Sequence, residues 1–233
     1  MNFQKAAQNG LTSTICFPTG NLAPQGSVVK STAIDSTVVD TDGIYRMTGP
    51  ARIFYSEKEA MRAVKGLTKN SIQAGDVIVL CGRGPMGSGM EEVAQITLAL
   101  KHLSWGKQVA LLTDARFSGV STGACIGHIG PEALAGGPIG KIREGDIIEI
   151  KINRRKLIGT INFIGQAGKI ITPNEGKAVL DQRSAPSELQ ADPRLPEDTR
   201  LWAALQNVGG GTWGGCVYDT DQIIDILEKN SVR

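Results

Sequence analysis

Two short apolar runs, each breaking at once into a glycine-bearing loop, restrict what this chain can fold into more than any other feature. The first, Asp76-Val77-Ile78-Val79-Leu80, leads into Cys81-Gly82-Arg83-Gly84-Pro85-Met86-Gly87-Ser88-Gly89-Met90-Glu91-Glu92. The second, Val109-Ala110-Leu111-Leu112, leads into Thr113-Asp114-Ala115-Arg116-Phe117-Ser118-Gly119-Val120-Ser121-Thr122. Runs this short and uniformly apolar read as buried strands. Between them Val93, Ile96, Thr97, Leu100 and Leu103 recur at helical spacing, which predicts a helix from about Met90 to His102. Polar loops at the ends of rigid strands are where sites are usually built. The two loops are therefore expected to face each other and form half of an active site.

The segments on either side set the fold class. Asp146 to Ile152 and Lys156 to Phe163 flank Asn153-Arg154-Arg155, the pattern of an antiparallel hairpin. A hairpin does not continue a βαβ series, so the expectation is an α/β fold with a mixed sheet. Residues 1–50 are rich in Thr, Ser, Gly, Asp and Val, and Ser27 to Lys30 and Thr37 to Val39 read as strands. Ser56 with Glu59 three residues on is a capping box, and Gly66 ends the helix it opens. Thr172 with Glu175 caps another helix. Pro131 to Leu134 reads as one helical turn, with Pro131 at its first position. A Pro- and acid-rich connector then precedes a short helix at Leu201 to Leu205, a glycine turn at Gly209 to Gly215, and a final amphipathic helix from Thr220 to Lys229.

Totals exclude several classes of function. A net charge of +2 over 233 residues is too mild for a nucleic-acid binder, and Arg154-Arg155-Lys156 falls where a solvated hairpin turn is expected. No apolar run approaches the length that crosses a bilayer, and the start, Met1 to Gly10, lacks the apolar core of a signal peptide. Cys16, Cys81, Cys125 and Cys216 form no C-x-x-C pair, which argues against a zinc site or disulfide scaffold and for a reducing cytoplasm. The expectation is a cytoplasmic protein with no nucleic-acid or membrane partner.

Three chemistries compete for the two loops. Gly82, Gly84 and Gly87 spell G-x-G-x-x-G between a strand and a helix, so a nucleotide-binding module is one reading; the acidic residue expected about 20 positions on is not well placed. Gly119-Val120-Ser121-Thr122-Gly123 spells the G-x-S-x-G of a nucleophile elbow. Its histidine should follow the serine and an intervening acid, and His128 comes too soon for that order. In the third reading the loops share one site, with Glu92 as an oxygen ligand or acid and Ser118 as the reacting hydroxyl. Arg116 and Asp114 would then set the charge around it. A serine hydroxyl is a poor base unless a cation or strong local field lowers its pKa, and Glu92 alone cannot bind such a cation tightly.

Further residues identify a resemblance. Leu111 to Gly119 and Gly127-His128-Ile129-Gly130-Pro131-Glu132-Ala133 resemble the C-terminal signature of the dihydroxyacid dehydratase / 6-phosphogluconate dehydratase family. Asn21 to Pro24, Gly49 to Arg52, and Gly84-Pro85 with Gly89-Met90-Glu91-Glu92 are similar to further family blocks in the same order. Asp198 to Leu205 and Gly210 to Cys216 look most like the sugar-acid branch, with its bacterial D-xylonate dehydratases.

The resemblance implies a hydro-lyase that dehydrates a 2,3-dihydroxy sugar acid, of D-xylonate or gluconate type, to the 2-keto-3-deoxy acid. It implies Ser118 as the base, Glu92 as a Mg²⁺ ligand, and Arg116, Asp114 and Thr122 against the substrate. It also implies an iron–sulfur cluster whose ligands lie in an N-terminal portion that this chain lacks, since family members are much longer. The fold implied for residues 1–233 is a single swivelling β/β/α, barrel-like domain with flanking helices, like the C-terminal domain of aconitase-like enzymes. Within it, 1–50 is a β-rich lead-in, 51–165 the core with both loops, and 166–233 a helical extension. Homo-oligomers are expected, and the isolated chain is expected to be inactive.

Plainer roles stand beside these. Ser118 is otherwise a loop hydroxyl. Glu92, in a first helical turn, complements the helix dipole. Glu91 is either the alternative ligand or the capping partner of Ser88. Asp114 and Arg116 pair with each other, His128 is structural, and Trp213 is a packing anchor or a pocket wall. A non-catalytic oligomerisation domain remains a further alternative.

Overall fold

Alternation along the apolar runs sorts their side chains to opposite faces of one sheet. The computed structural model describes Lys5, Gln8, residues 14–166 and residues 168–230. Its strands are β1 (Ile15–Cys16), β2 (Gly26–Lys30), β3 (Ile44–Phe54), β4 (Val77–Leu80), β5 (Glu92–Val93), β6 (Ala110–Thr113), β7 (Arg116–Phe117), β8 (Ala124–Gly130), β9 (Asp146–Asn153), β10 (Ile158–Gln166) and β11 (Lys169–Ile170). Its helices are α1 (Glu57–Val64), α2 (Pro85–Ser88), α3 (Gln95–Lys101), α4 (Pro173–Gln182), α5 (Glu197–Val208) and α6 (Thr220–Asn230). Nine strands form one sheet in the order β1-β2-β8-β6-β4-β3-β9-β10-β11, and β5 pairs with β7 separately.

The sheet is mixed, as the hairpin predicts. The pairs β3–β4, β4–β6 and β6–β8 are parallel, and the outer pairs are antiparallel. It also curls. Thr19, just after β1, pairs with Thr160 on β10: Thr19 N–H donates to the Gly159 carbonyl at 3.2 Å, and Ile161 N–H to the Thr19 carbonyl at 2.9 Å. The two ends of the sheet are thereby brought together into a half-barrel.

Val77 and Val79 join a core cluster with Ala110, Leu112, Ile148, Ile150, Ile152 and Phe163. Ile78 and Leu80 point the other way, into a cluster with Leu111, Ala60, Val64 and Ile96 under α1 and α3. Both faces are thus covered, which is why these runs contain no polar alternation.

Several expectations need correction. The β3 strand escapes the sequence reading because Gly49-Pro50 looks like a turn. Up to Pro50 it pairs with β9, and from Ala51 onward with β4, so Gly49 sits at the switch. A Cβ there would lie 1.9 Å from the Gly75 carbonyl oxygen, so only glycine lets the two backbones meet. The helix expected from Met90 begins at Gln95. Gly89 and Met90 both take left-handed backbone angles, and Glu92–Val93 is extended. The cap at the start of α3 is supplied from elsewhere in the chain: Glu57 Oε1 accepts from the N–H groups of Ala94 and Gln95 at 3.1 and 2.8 Å.

Thr37 to Val39 is not a strand. Ser36–Val38 forms a 3₁₀ turn capped by Asp35. The turn after Pro131 is likewise 3₁₀ and starts at Ala133. The Thr172–Glu175 capping box forms in full. The short helix expected at Leu201 to Leu205 extends over all of α5. Met1 to Gly10, apart from Lys5 and Gln8, lies outside the described residues. Among the described residues no helix is long and apolar enough to cross a membrane.

Candidate functional site

The parallel neighbours β4 and β6 end level with each other, Leu80 opposite Thr113, so the loops leaving them start side by side. Asp114 ties them together. Its carboxylate accepts from Gly82 N–H at 3.0 Å, Arg83 N–H at 2.9 Å and Ala133 N–H at 2.9 Å, and the residue is 1% exposed. Burial pushes this carboxyl above the ordinary carboxylate range, against the pull of its backbone donors. Asp114 therefore does not pair with Arg116, and its buried carboxylate is taken up by three backbone donors. Its place is beneath the site, holding three chain segments.

The second loop next pairs with the end of the first. Arg116 N–H donates to the Glu91 carbonyl and Ser118 N–H to the Val93 carbonyl, both at 3.3 Å, with Glu92 opposite Arg116 and Val93 opposite Phe117. Arg116 and Ser118 turn their N–H groups toward the same strand, so their side chains share one face of this ladder. Glu92 is on that face too, while Val93 and Phe117 pack into the core cluster under α3. Arg116 and Glu92 are both exposed, and neither side chain has a hydrogen bond or ion pair among the described residues. Ser118 is half-buried, and its Oγ accepts from Val120 N–H at 3.5 Å.

Glu92 stands on a strand, so the helix-dipole explanation for it falls away. It lines a cavity of about 550 Å³ with Glu91, Arg83, Asp192, Arg194 and the exposed face of α1. Thr122 lies elsewhere, on a cavity of about 610 Å³ shared with Thr97, Lys107 and Cys125, so it does not join Glu92. Ser121, the serine of the G-x-S-x-G pattern, is buried and accepts from the Thr97 hydroxyl at 3.2 Å.

Between the two adjacent glutamates the structure makes a clear distinction. Both Glu91 carboxylate oxygens accept from Arg83, Oε1 from Nε at 2.6 Å and Oε2 from Nη2 at 2.5 Å. Its backbone N–H donates to Ser88 Oγ at 3.3 Å, but Ser88 ends α2 and no helix starts directly after it, so no capping box forms between them. Bidentate pairs of this kind fix geometry as well as charge.

The glycine loop makes no phosphate cradle. Gly82 and Arg83 N–H groups are taken by Asp114, Met86 N–H by both oxygens of Glu132 at 3.0 Å, and Gly87 and Ser88 N–H groups by the Gly84 carbonyl. Glu132 occupies the position at the start of α2 where an anion would sit. Burial pushes its carboxyl up to about 7.

His128 turns its ring edge-on to Phe117, 6.3 Å between centroids, and burial lowers its pKa. Trp213 is a packing anchor. Its indole N–H donates to the His128 carbonyl at 2.8 Å, and Cβ atoms at Gly26 or Gly130 would collide with its ring at 2.9 and 2.2 Å.

The residues present fit the expected cofactors unequally. Cys16 and Cys125 are buried singly with thiols pushed up to about 11 and 12, and burial also raises Cys81. Among the described residues no trio of His, Cys, Asp or Glu could hold a metal ion, so an iron–sulfur cluster does not fit this chain by itself. Mg²⁺ fits in part. The open carboxylate of Glu92 could supply one ligand, and a hard cation of this kind needs about six oxygens.

Arg83, Glu132 and Asp192 shape the site and are missed by sequence reasoning. Only the G-P-E turn hinted at Glu132, and nothing local marks an arginine that finds its partners eight and 109 residues away.

Comparison with known proteins gives a consistent picture. Residues 5–181 match the model described as dihydroxy-acid/6-phosphogluconate dehydratase C-terminal. The chain is 59% identical over 224 residues to the D-xylonate dehydratase YagF of Escherichia coli K12, covering 96% of this chain and 34% of that protein. It is 56% identical to the D-xylonate dehydratase YjhG of the same organism, covering 99% of this chain and 36% of that one. A dihydroxy-acid dehydratase of Methanococcoides burtonii is 50% identical over 139 residues, which is 59% of this chain and 24% of that protein. The chain thus spans about a third of the length of the D-xylonate dehydratases it matches.

Proposed function

Since this chain belongs to the dihydroxy-acid/6-phosphogluconate dehydratase family, matching its C-terminal part, we propose that it supplies the proton-abstracting half of a sugar-acid hydro-lyase. The substrate in this reading is a 2,3-dihydroxy acid of D-xylonate type, and the product is the 2-keto-3-deoxy acid. One observation carries the assignment: the β5–β7 ladder, whose register gives Glu92, Arg116 and Ser118 a common face.

Ser118 Oγ takes the proton from C2. The C–O bond at C3 breaks, the hydroxyl leaves as water after gaining a proton, and the resulting enol becomes the ketone. Arg116, a guanidinium without a partner among the described residues, attracts the substrate carboxylate and favours the ionised form of the nearby Ser118 hydroxyl. A Mg²⁺ with Glu92 among its ligands would supply positive charge at the substrate carboxylate and 2-hydroxyl. The groups that assist departure of the 3-hydroxyl belong, in this reading, to an N-terminal portion over which this domain swivels. Asp114 serves from below by keeping the two loops in register.

The test is Ser118→Ala in the full-length dehydratase, with the 2-keto-3-deoxy acid quantified. The expected result is a loss of kcat of at least about a thousandfold, with KM changed little, because the hydroxyl acts on the proton in flight rather than on the bound ground state. Retention of activity within about tenfold would remove Ser118 from the role of base.

A further inference from the structure

The cavity beside Glu92 is lined by four carboxylates, and three of them are already committed. Glu57 caps the start of α3. Glu91 is gripped by Arg83. Asp192 accepts from Arg83 Nη2 at 3.4 Å and from Arg194 through Nε at 3.2 Å, Nη2 at 3.1 Å and the backbone N–H at 2.9 Å. Glu92 alone has no partner among the described residues.

Arg83 is the hub of this arrangement. Its side chain is only 9% exposed, and its carbonyl accepts from Ser88 Oγ at 2.8 Å. Asp192 donates its own N–H to the Gly87 carbonyl at 2.7 Å, pinning the connector onto the glycine loop. That connector lies beyond residue 181, where the family-wide match ends, yet the D-xylonate dehydratases align over at least 96% of the chain and so share most of it.

We propose that Arg83 and Asp192 are positioning residues that hold Glu91 out of ligation and leave Glu92 as the carboxylate open to a divalent cation, with the C-terminal connector supplying half of this clamp in the sugar-acid branch. The inference rests on the dehydratase reading above. Without the clamp, Glu91 would stand as an unpaired charge beside Glu92. It would compete for the cation and pull the short strand β5 out of register with β7.

The experiment uses the full-length dehydratase and Mn²⁺ as a spectroscopic stand-in for Mg²⁺, titrated by electron paramagnetic resonance, with a circular dichroism melt for each variant. Arg83→Met should raise the Mn²⁺ dissociation constant about ten- to a hundredfold, because a released Glu91 shifts β5 and with it the ligand Glu92, and misplacing a metal ligand costs about that much. The double variant Arg83→Met/Glu91→Met should bring the constant back to within about threefold of the parent, since removing both partners leaves no orphan charge. Asp192→Asn, which keeps Arg83 and Glu91 and serves if Arg83→Met fails to fold, should raise the constant severalfold. Unchanged binding in both Arg83→Met and Asp192→Asn overturns the clamp, as does loss of binding in the double variant, which would make Glu91 the ligand. Glu92→Gln keeps the two failures apart. If it loses binding while Arg83→Met does not, the clamp alone is wrong; if it binds normally, the dehydratase reading of Glu92 falls and takes the clamp with it.

Discussion

Replacing Asp114 separates a structural keystone from a substrate contact. In Asp114→Ala the N–H groups of Gly82, Arg83 and Ala133 lose their acceptor in a region 1% exposed. An orphaned buried donor costs about 1–3 kcal/mol, and water entering the space left by the carboxylate recovers some of it, so a loss of about 4 kcal/mol is expected. Asp114→Asn is milder. Its amide oxygen can keep the Gly82 and Ala133 bonds now made by Oδ2, while its NH₂ group is left facing the Arg83 N–H, so one orphan donor costs about 2 kcal/mol. Against a typical domain stability of about 5–15 kcal/mol, the alanine variant gives up a large share. Urea unfolding followed by tryptophan fluorescence measures both. Equal losses in the two variants, or a loss under about 1 kcal/mol in Asp114→Ala, would refute the three-donor account.

Glu132 gives the domain a pH dependence with a definite sign. Its folded-state pKa of about 7 lies above the ordinary 4.5, so the native state holds the proton longer, and stability is greatest below about 4.5 and falls as pH rises toward 7. The full loss is about 3 kcal/mol, and Glu132→Gln should flatten it; urea midpoints between pH 4.5 and 8 that slope equally in both proteins would contradict this. Trp213→Ala should cost about 2–3 kcal/mol, less than a fully buried tryptophan because the ring is only half-covered. A melting temperature unchanged in that variant would show that the ring does not anchor the C-terminal segment.

Local pattern sufficed for the parallel centre of the sheet, the hairpin and the Thr172 cap, because each follows from the period of a few neighbouring residues. It failed at β3, where Gly49-Pro50 carries a turn's signature inside an eleven-residue strand. The reason is a close approach by Gly75, which is distant in sequence. It failed again between Met90 and Ala94, where helical spacing is real but the left-handed angles at Gly89 and Met90 delay the helix. Ser118, Arg116 and Glu92 were expected to share one site, and the β5–β7 register gives them a common face. Asp114 was read as setting charge at the substrate, and the three N–H groups that occupy its carboxylate come from segments no local pattern connects to it. Thr122, expected against the substrate beside Ser118, follows the turn at Ser118 to Ser121 and lines another cavity.

The indole wedged against Gly26 and Gly130 bears on how the polypeptide should be handled in the laboratory. A shortened version ending at residue 181, the natural boundary by family likeness, would bare a slot that accepts no ordinary side chain and strip Arg83 of one acid partner. The 52 residues that look dispensable by homology are, for this chain, part of the wall behind its glutamates.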